Sequence, residues 1–195
     1  MAKSNTKARL DRILPKIQSP GFLENRGRSK EIGFFVFDYP PEDELLVREH
    51  VGFLLKQLQS PGCDIPFVEI DLYELLLEIL ERRGVLEKIP KQEASMGFAK
   101  LIESLRKGVL KPENFVKLIQ ARVKSGTRLV LLTGVGKSYP LLRSHNVLNS
   151  LHKPLGHLTV IMFFPGTYDG RKLVLFEKFK DNYYRAFKLV EDRIP

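Results

Sequence analysis

The sequence predicts an α/β sandwich: a single domain with a mostly parallel central sheet flanked by helices. Two observations carry this reading. Short strand-like runs rich in apolar residues recur along the chain at Ile32–Phe37, Phe67–Ile70, Arg128–Leu132 and Leu158–Phe164, the first of them a continuous apolar run, the pattern of a strand buried on both faces. Helical segments separate them, and strands alternating with helices are joined by crossovers into a parallel sheet. No linker long enough to divide the 195 residues appears, and no repeat recurs at a fixed period. The layering expected is Rossmann-like or P-loop-like, without an intact phosphate loop.

In chain order, Leu10, Ile13, Leu14 and Ile17 recur at helical spacing, so a helix over about residues 6–18 is expected to pack on or extend from the domain. Ser19-Pro20-Gly21 ends it. The first strand, Ile32–Phe37, stops at Asp38-Tyr39-Pro40-Pro41. Prolines cost nothing at a helix start, and Glu42, Asp43 and Glu44 suit the positive end of the helix dipole. Val47, Val51, Leu54 and Leu58 then line the buried side of that helix. After the turn Ser60-Pro61-Gly62 comes the strand Phe67–Ile70. Asp71 and Glu74 have capping-box spacing, so a helix follows directly to about Arg83, with Gly84 as its stop.

Residues 85–97 show no clear period. Helices are expected over Phe98–Lys107, closed by Gly108, and from Pro112 to about Lys124. Next come the strand Arg128–Leu132, the loop Thr133–Tyr139, a helix from Pro140 to about Leu151 and a turn at Lys153-Pro154. The strand Leu158–Phe164 leads into a turn-rich loop, Pro165–Gly170. Lys172–Phe176 and Tyr184–Leu189 read as strands near a sheet edge.

Composition excludes several classes. Cys63 is the single cysteine, so no internal disulfide can form, and with a polar Met1–Lys7 start the reading is a cytoplasmic, reducing environment. The longest unbroken apolar runs are about five residues, far short of the ~20 of a membrane helix. The net charge of +9 is unevenly placed. Residues 38–93 carry −7, whereas 1–37, 94–128 and 129–195 carry +5, +6 and +5. Such polarity steers charged partners, or it simply solvates helix faces. The densest basic stretch includes Lys100, Arg106, Lys107, Lys117, Arg122 and Lys124. It is a candidate nucleic-acid surface, although no aromatics interleave it and it matches no RNA-recognition, zinc-finger or basic-zipper pattern.

Four places could hold chemistry. Gly134, Gly136, Lys137 and Ser138 follow a strand and end like a phosphate-binding loop, where backbone N–H groups, a lysine and a hydroxyl hold phosphate and Mg²⁺. The full pattern needs a glycine where Leu131 stands, and Pro140 interrupts the helix that should follow. The plainer reading is a glycine-bearing strand-to-helix turn that accepts an anion at most. Asp38 lies at a strand's carboxyl end, where open α/β sheets contact ligands. Its neighbours Glu42–Glu44 read as first-turn helix stabilisation rather than a metal site. His145, His152 and His157 lack zinc spacing, and His145 is expected on the buried side of its helix. No metal, cofactor or catalytic residue is assigned. Finally, Tyr168, Tyr183, Tyr184 and Arg185, with Arg143, have the tyrosine and arginine character of interface anchors. Tyr183 and Tyr184 cannot both face inward from a strand.

Several strings also carry a family resemblance. They are Glu31-Ile32-Gly33-Phe34-Phe35-Val36-Phe37-Asp38-Tyr39-Pro40-Pro41, Ile70-Asp71-Leu72-Tyr73-Glu74-Leu75-Leu76, Leu132-Thr133-Gly134-Val135-Gly136, Tyr139-Pro140-Leu141-Leu142-Arg143-Ser144-His145, Phe163–Gly170 and Tyr183-Tyr184-Arg185-Ala186-Phe187. In this order, over nearly the whole chain, they resemble the BrxB family of the BREX (bacteriophage exclusion) defence systems. The resemblance implies a cytoplasmic role in blocking phage propagation beside a PglZ-type alkaline-phosphatase-like protein, a PglX-type DNA methyltransferase and a BrxC-type ATPase. It transfers no catalytic residues. It implies an interaction or assembly subunit, with the PglZ-type protein as the first partner to test. The alternatives from the residues are a nucleotide- or phosphate-binding regulator at the glycine turn and a DNA- or RNA-binding protein using residues 100–128.

Overall fold

The structure is a computed structural model that describes residues 5–24, 33–182 and 186–191. Its frame is a mixed α/β sheet with helices on both faces. Strands β1 (Phe34–Tyr39), β2 (Phe67–Asp71), β3 (Leu129–Thr133), β4 (Thr159–Tyr168) and β7 (Phe187–Lys188) run parallel in the order β2-β3-β4-β1-β7. The expected mostly parallel sheet between helices is therefore present.

Period-two alternation makes two cores from each strand. Phe34, Val36, Ile70, Val130, Leu132, Val160, Met162 and Phe164 point to one face. There they meet α4 (Leu72–Arg82), α6 (Phe98–Lys107), α7 (Pro112–Arg122) and α9 (Ser144–Leu155). Phe37, Leu129, Leu131, Ile161 and Phe163 point to the other, against α1 (Thr6–Leu10), α2 (Ile13–Gln18) and α3 (Glu44–Leu58). From β1 the chain crosses under α3 to the far edge at β2, then steps back through β3 and β4 over the opposite face. Reversing direction and face together keeps both crossovers of one hand. It also opens a crevice at the carboxyl ends of the strands, between the starts of α3 and α8 (Val135–Ser138).

Several boundaries differ from the sequence reading. The N-terminal helix is two short ones, because the chain tightens at Asp11-Arg12, where Arg12 N–H donates to Arg9 O at 3.2 Å. Leu10, Ile13 and Ile17 all remain buried across the break. The helix expected from Pro140 is α8 before the proline and α9 from Ser144. Tyr139 is extended, as a residue before proline prefers. α9 then runs through Pro154 to Leu155 instead of turning there.

The largest correction is β4. Instead of ending at Phe164 in a loop, it continues through Pro165-Gly166-Thr167 to Tyr168, leaving its parallel neighbours to pair antiparallel with β5 (Lys172–Leu175). Gly166 permits the close approach, since a Cβ there would lie 2.0 Å from Val174 O. β5 in turn pairs with β6 (Phe179–Asn182), a strand the sequence did not suggest. Residues 89–96 form α5 (Ile89–Met96), which buries none of its own side chains. It lies between two exposed apolar neighbours, Leu86 and Phe98.

Candidate functional site

The crevice encloses about 230 Å³ and brings together Tyr39, Glu44, Arg48, Glu69, Asp71, Thr133, Gly134 and Lys137. Asp71 is its hinge. It ends β2 and caps α4, its Oδ1 accepting from the backbone N–H groups of Tyr73 at 2.9 Å and Glu74 at 3.2 Å. Its Oδ2 accepts from Lys137 Nζ at 2.5 Å, and that ammonium also lies 5.4 Å from the Tyr73 ring centre. Gly134 sits over the same carboxylate in the left-handed region, φ +71°, where a Cβ would fall 2.1 Å from Asp71 Oδ1.

The glycine-lysine-serine string is therefore a single helical turn fitted onto the cap of α4. Lys137 is turned back onto Asp71. Ser138 is buried and donates its hydroxyl to Val135 O at 2.9 Å, within its own turn. The cation and the hydroxyl that a phosphate loop would offer outward are both engaged internally.

The opposite wall is a second closed set. The Tyr39 hydroxyl donates to Glu44 Oε2 at 2.6 Å, and Arg48 Nε donates to Glu44 Oε1 at 2.8 Å, one turn along α3. Burial, and then the Glu44 carboxylate that accepts its proton, push the Tyr39 phenol well above its ordinary range. On the floor Thr133 Oγ1 donates to Glu69 Oε1. Glu44, Glu69 and Asp71 face Arg48 and Lys137, three carboxylates against two cations. The crevice is thus slightly acidic.

Asp38, expected to meet a ligand, is instead enclosed by this chain. Arg9 Nη2 donates to its Oδ1 at 2.7 Å, Tyr168 N–H to its Oδ2 at 2.9 Å, and Lys188 Nζ lies 3.3 Å from Oδ2. Arg9 also reaches Asp38 O at 2.7 Å and Val190 O at 3.1 Å, and its guanidinium lies 4.8 Å from the Phe37 ring centre. A buried carboxylate needs such company. Here it fastens α1, β1, the end of β4 and the C-terminal strand β7 together. Among the described residues, no group of three His, Cys, Asp or Glu side chains is placed to hold a metal ion.

The residues singled out as partner contacts separate. Tyr168 is 1% exposed, and its hydroxyl donates to Ala186 O at 2.8 Å, so it is a core side chain and not a surface anchor. The strand's continuation past Phe164 is what takes it inside. Tyr183, Tyr184 and Arg185 lie outside the described residues, as does the His145 side chain. Arg143 is exposed just before α9 and stands beside Arg106 and Lys107 at a second groove. Lys100, Lys117 and Lys124 are also exposed. Lys107 pairs with Glu103 at 2.5 Å, and Arg122 pairs with Glu78 of α4. The basic stretch is thus partly neutralised along its own helix and by the neighbouring acidic one.

Sequence reasoning did not single out Tyr39, Arg48 or Glu69 for the crevice. A signal existed for one of them: Glu69 and Asp71 are two apart in a strand, so both lie on the same face of the sheet.

The sequence model of a family described as BREX protein BrxB matches residues 68–189. The chain belongs to the BrxB family. Glu69, Asp71, Thr133, Gly134 and Lys137 lie within the matched span, and Tyr39, Glu44 and Arg48 precede it. The chain is similar to BREX protein BrxB of Bacillus cereus (strain H3081.97), with 46% identity over 187 residues, covering 94% of this chain and 96% of the relative. It is also similar to BREX protein BrxB of Escherichia coli O9:H4 (strain HS), with 37% identity over 192 residues, covering 96% and 92%. No solved structure matches. Among the described residues no helix is long and apolar enough to cross a membrane.

Proposed function

We propose that this BrxB-family chain is a non-catalytic assembly subunit of its BREX phage-defence system, and that a PglZ-type protein is its first partner. The observation that supports this is the state of the crevice, the place where an open parallel sheet ordinarily does its chemistry. Each polar side chain there is committed to another of the same chain: Lys137 to Asp71, Arg48 and Tyr39 to Glu44, Thr133 to Glu69. A general base or nucleophile must lie within reach of a substrate, and these pairings turn the polar groups of the crevice toward one another. Large apolar side chains face outward elsewhere: Leu45 (76% exposed) and Phe53 on α3, Leu86, Met96 and Phe98 (58% exposed) around α5. Outward-facing apolar side chains of this size support the reading of contact surfaces.

The test is co-purification of the tagged full-length chain with the PglZ-type, PglX-type and BrxC-type proteins, each alone and together, at low salt. Co-elution with the PglZ-type protein is the expected result. Elution of the chain alone in every combination overturns the assembly role. Nucleotide or nucleic-acid turnover by the purified chain that disappears in Lys137→Ala overturns the non-catalytic part.

A further inference from the structure

Away from the crevice, the last turns of α6, the loop at Leu110, the first residue of α7 and the approach to α9 enclose a groove of about 450 Å³. Its floor is apolar. Leu110 and Leu142 are buried, and Ile102 and Leu141 are half-covered beside them. Its rim is cationic, formed by Arg106, Lys107 and Arg143. The acid of the lining, Glu103, is taken by Lys107 at 2.5 Å. The guanidinium groups of Arg106 and Arg143 make no ion pair or hydrogen bond among the described residues, although Arg106 also acts through space on the Glu103 carboxylate. Two guanidinium groups with no directly bonded carboxylate among the described residues therefore line a leucine floor, brought together from separate segments of the chain.

The apolar surface continues along α6, since exposed Phe98 stands one turn before Ile102 on the same helix. No aromatic side chain lines the groove itself.

We infer that this groove docks an acidic peptide segment of a partner protein, one that sets carboxylates on Arg106 and Arg143 and an apolar side chain on Leu110 and Leu142. The inference rests on the assembly role above and gives it a surface. Charge complementarity selects the occupant. A guanidinium fork matches a carboxylate bidentately, and a free one rewards an acidic ligand. The floor selects protein over nucleic acid, because single-stranded nucleic acid is held by stacking on aromatic rings and leucines give a base no such face. An amphipathic segment carrying acids beside apolar anchors satisfies rim and floor together.

The experiment is fluorescence anisotropy on the purified full-length chain with a labelled short peptide of glutamates and leucines at helical spacing. The comparison probes are the same peptide with Gln for Glu, the same peptide with Ser for Leu, and an oligothymidylate strand. The Glu/Leu peptide is expected to bind, more weakly as salt rises. Either peptide change, or R106Q/R143Q in the protein, is expected to weaken it about tenfold. R106E/R143E is expected to abolish binding and K117E/K124E to leave it unchanged, with melting curves showing every variant folded. Absence of binding to the Glu/Leu peptide, or binding indifferent to R106E/R143E, overturns the inference. So does oligothymidylate binding more tightly than the peptide through those same arginines. The two proposals fail separately. Co-elution of BREX proteins that survives R106E/R143E removes the groove and leaves the assembly role. Failure of the unaltered chain to co-elute removes the assembly role whatever the peptide does.

Discussion

Replacing Gly134 by alanine attacks the joint between β3, α8 and α4 through one added carbon. The new Cβ falls 2.1 Å from Asp71 Oδ1 and 2.7 Å from its Cγ, and the backbone there has φ +71°. Three costs follow. Holding alanine in the left-handed region costs about 1–2 kcal/mol. Expelling the Asp71 carboxylate from the first turn of α4 loses a helix cap, about 1 kcal/mol. The Lys137–Asp71 pair, with both side chains part-exposed, contributes less than about 1 kcal/mol more after solvent screening. The total is about 3 kcal/mol, or about 6–12 °C in melting temperature for a chain of this length. A double-mutant cycle with Asp71→Ala, followed by denaturant unfolding, separates these costs. Asp71→Ala removes the atoms with which the Cβ collides. In that background Gly134→Ala should cost only the backbone part, about 1–2 kcal/mol, leaving a coupling of about 1–2 kcal/mol. Two substitutions that add to within about 0.5 kcal/mol would refute the claim that glycine is there to seat the carboxylate.

Other perturbations read different parts of the fold. Arg9→Met strips Asp38 of its nearest cation while leaving Lys188 at 3.3 Å, so stability should fall by about 3 kcal/mol, the lower end for breaking a buried pair. An unchanged urea midpoint would show that Asp38 is not held as described. Tyr168→Phe removes the hydroxyl that satisfies Ala186 O and should cost about 1 kcal/mol, measured by the same unfolding curve. His50, packed against the Phe53 ring, has its imidazole pKa lowered by burial, with Asp11 acting against that shift. The folded state therefore resists a proton that the unfolded chain accepts. The histidine's contribution is present above the unfolded value of about 6.5 and is lost as pH falls below it toward the folded value. Melting temperature should decline over that interval in the native chain and decline less in His50→Gln. Equal slopes would exclude the assignment.

The helices and strands that could be read in advance were those with a clean period or a strong cap. Asp71, at the end of a strand and three residues before Glu74, announced the α4 start, and its carboxylate accepts from the N–H groups of Tyr73 and Glu74. α3 buries Val47, Val51, Leu54 and Leu58 as their spacing requires. The misjudged elements share a cause: local signals pointed one way and distant partners the other. Pro165-Gly166 reads as a turn, yet the pairing of Gly166 with Leu175 and of Tyr168 with Leu173 makes it strand. α5 has no period because it has no buried face to set one. The crevice was half-legible. Gly134, Lys137 and Ser138 stood out by type, but Lys137 belongs to Asp71, which lies far upstream in the chain.

The chain's order of apolar runs and helices settles its class, because a strand buried on both faces must be apolar at every position and a helix on one stripe only. The same order places the carboxyl ends of those strands along one edge, whatever the details of packing. Which charges meet at that edge is another matter. Arg9 with Asp38, Lys137 with Asp71, and Arg106 beside Arg143 are meetings across long sequence separations. A charged side chain's role depends on whether its counter-ion comes from its own helix, from a distant strand, or from nowhere in the chain. No local pattern encodes that choice. Packing in three dimensions turned the lysine of the glycine turn onto a cap and, among the described residues, gave the two arginine side chains over leucine no directly bonded carboxylate.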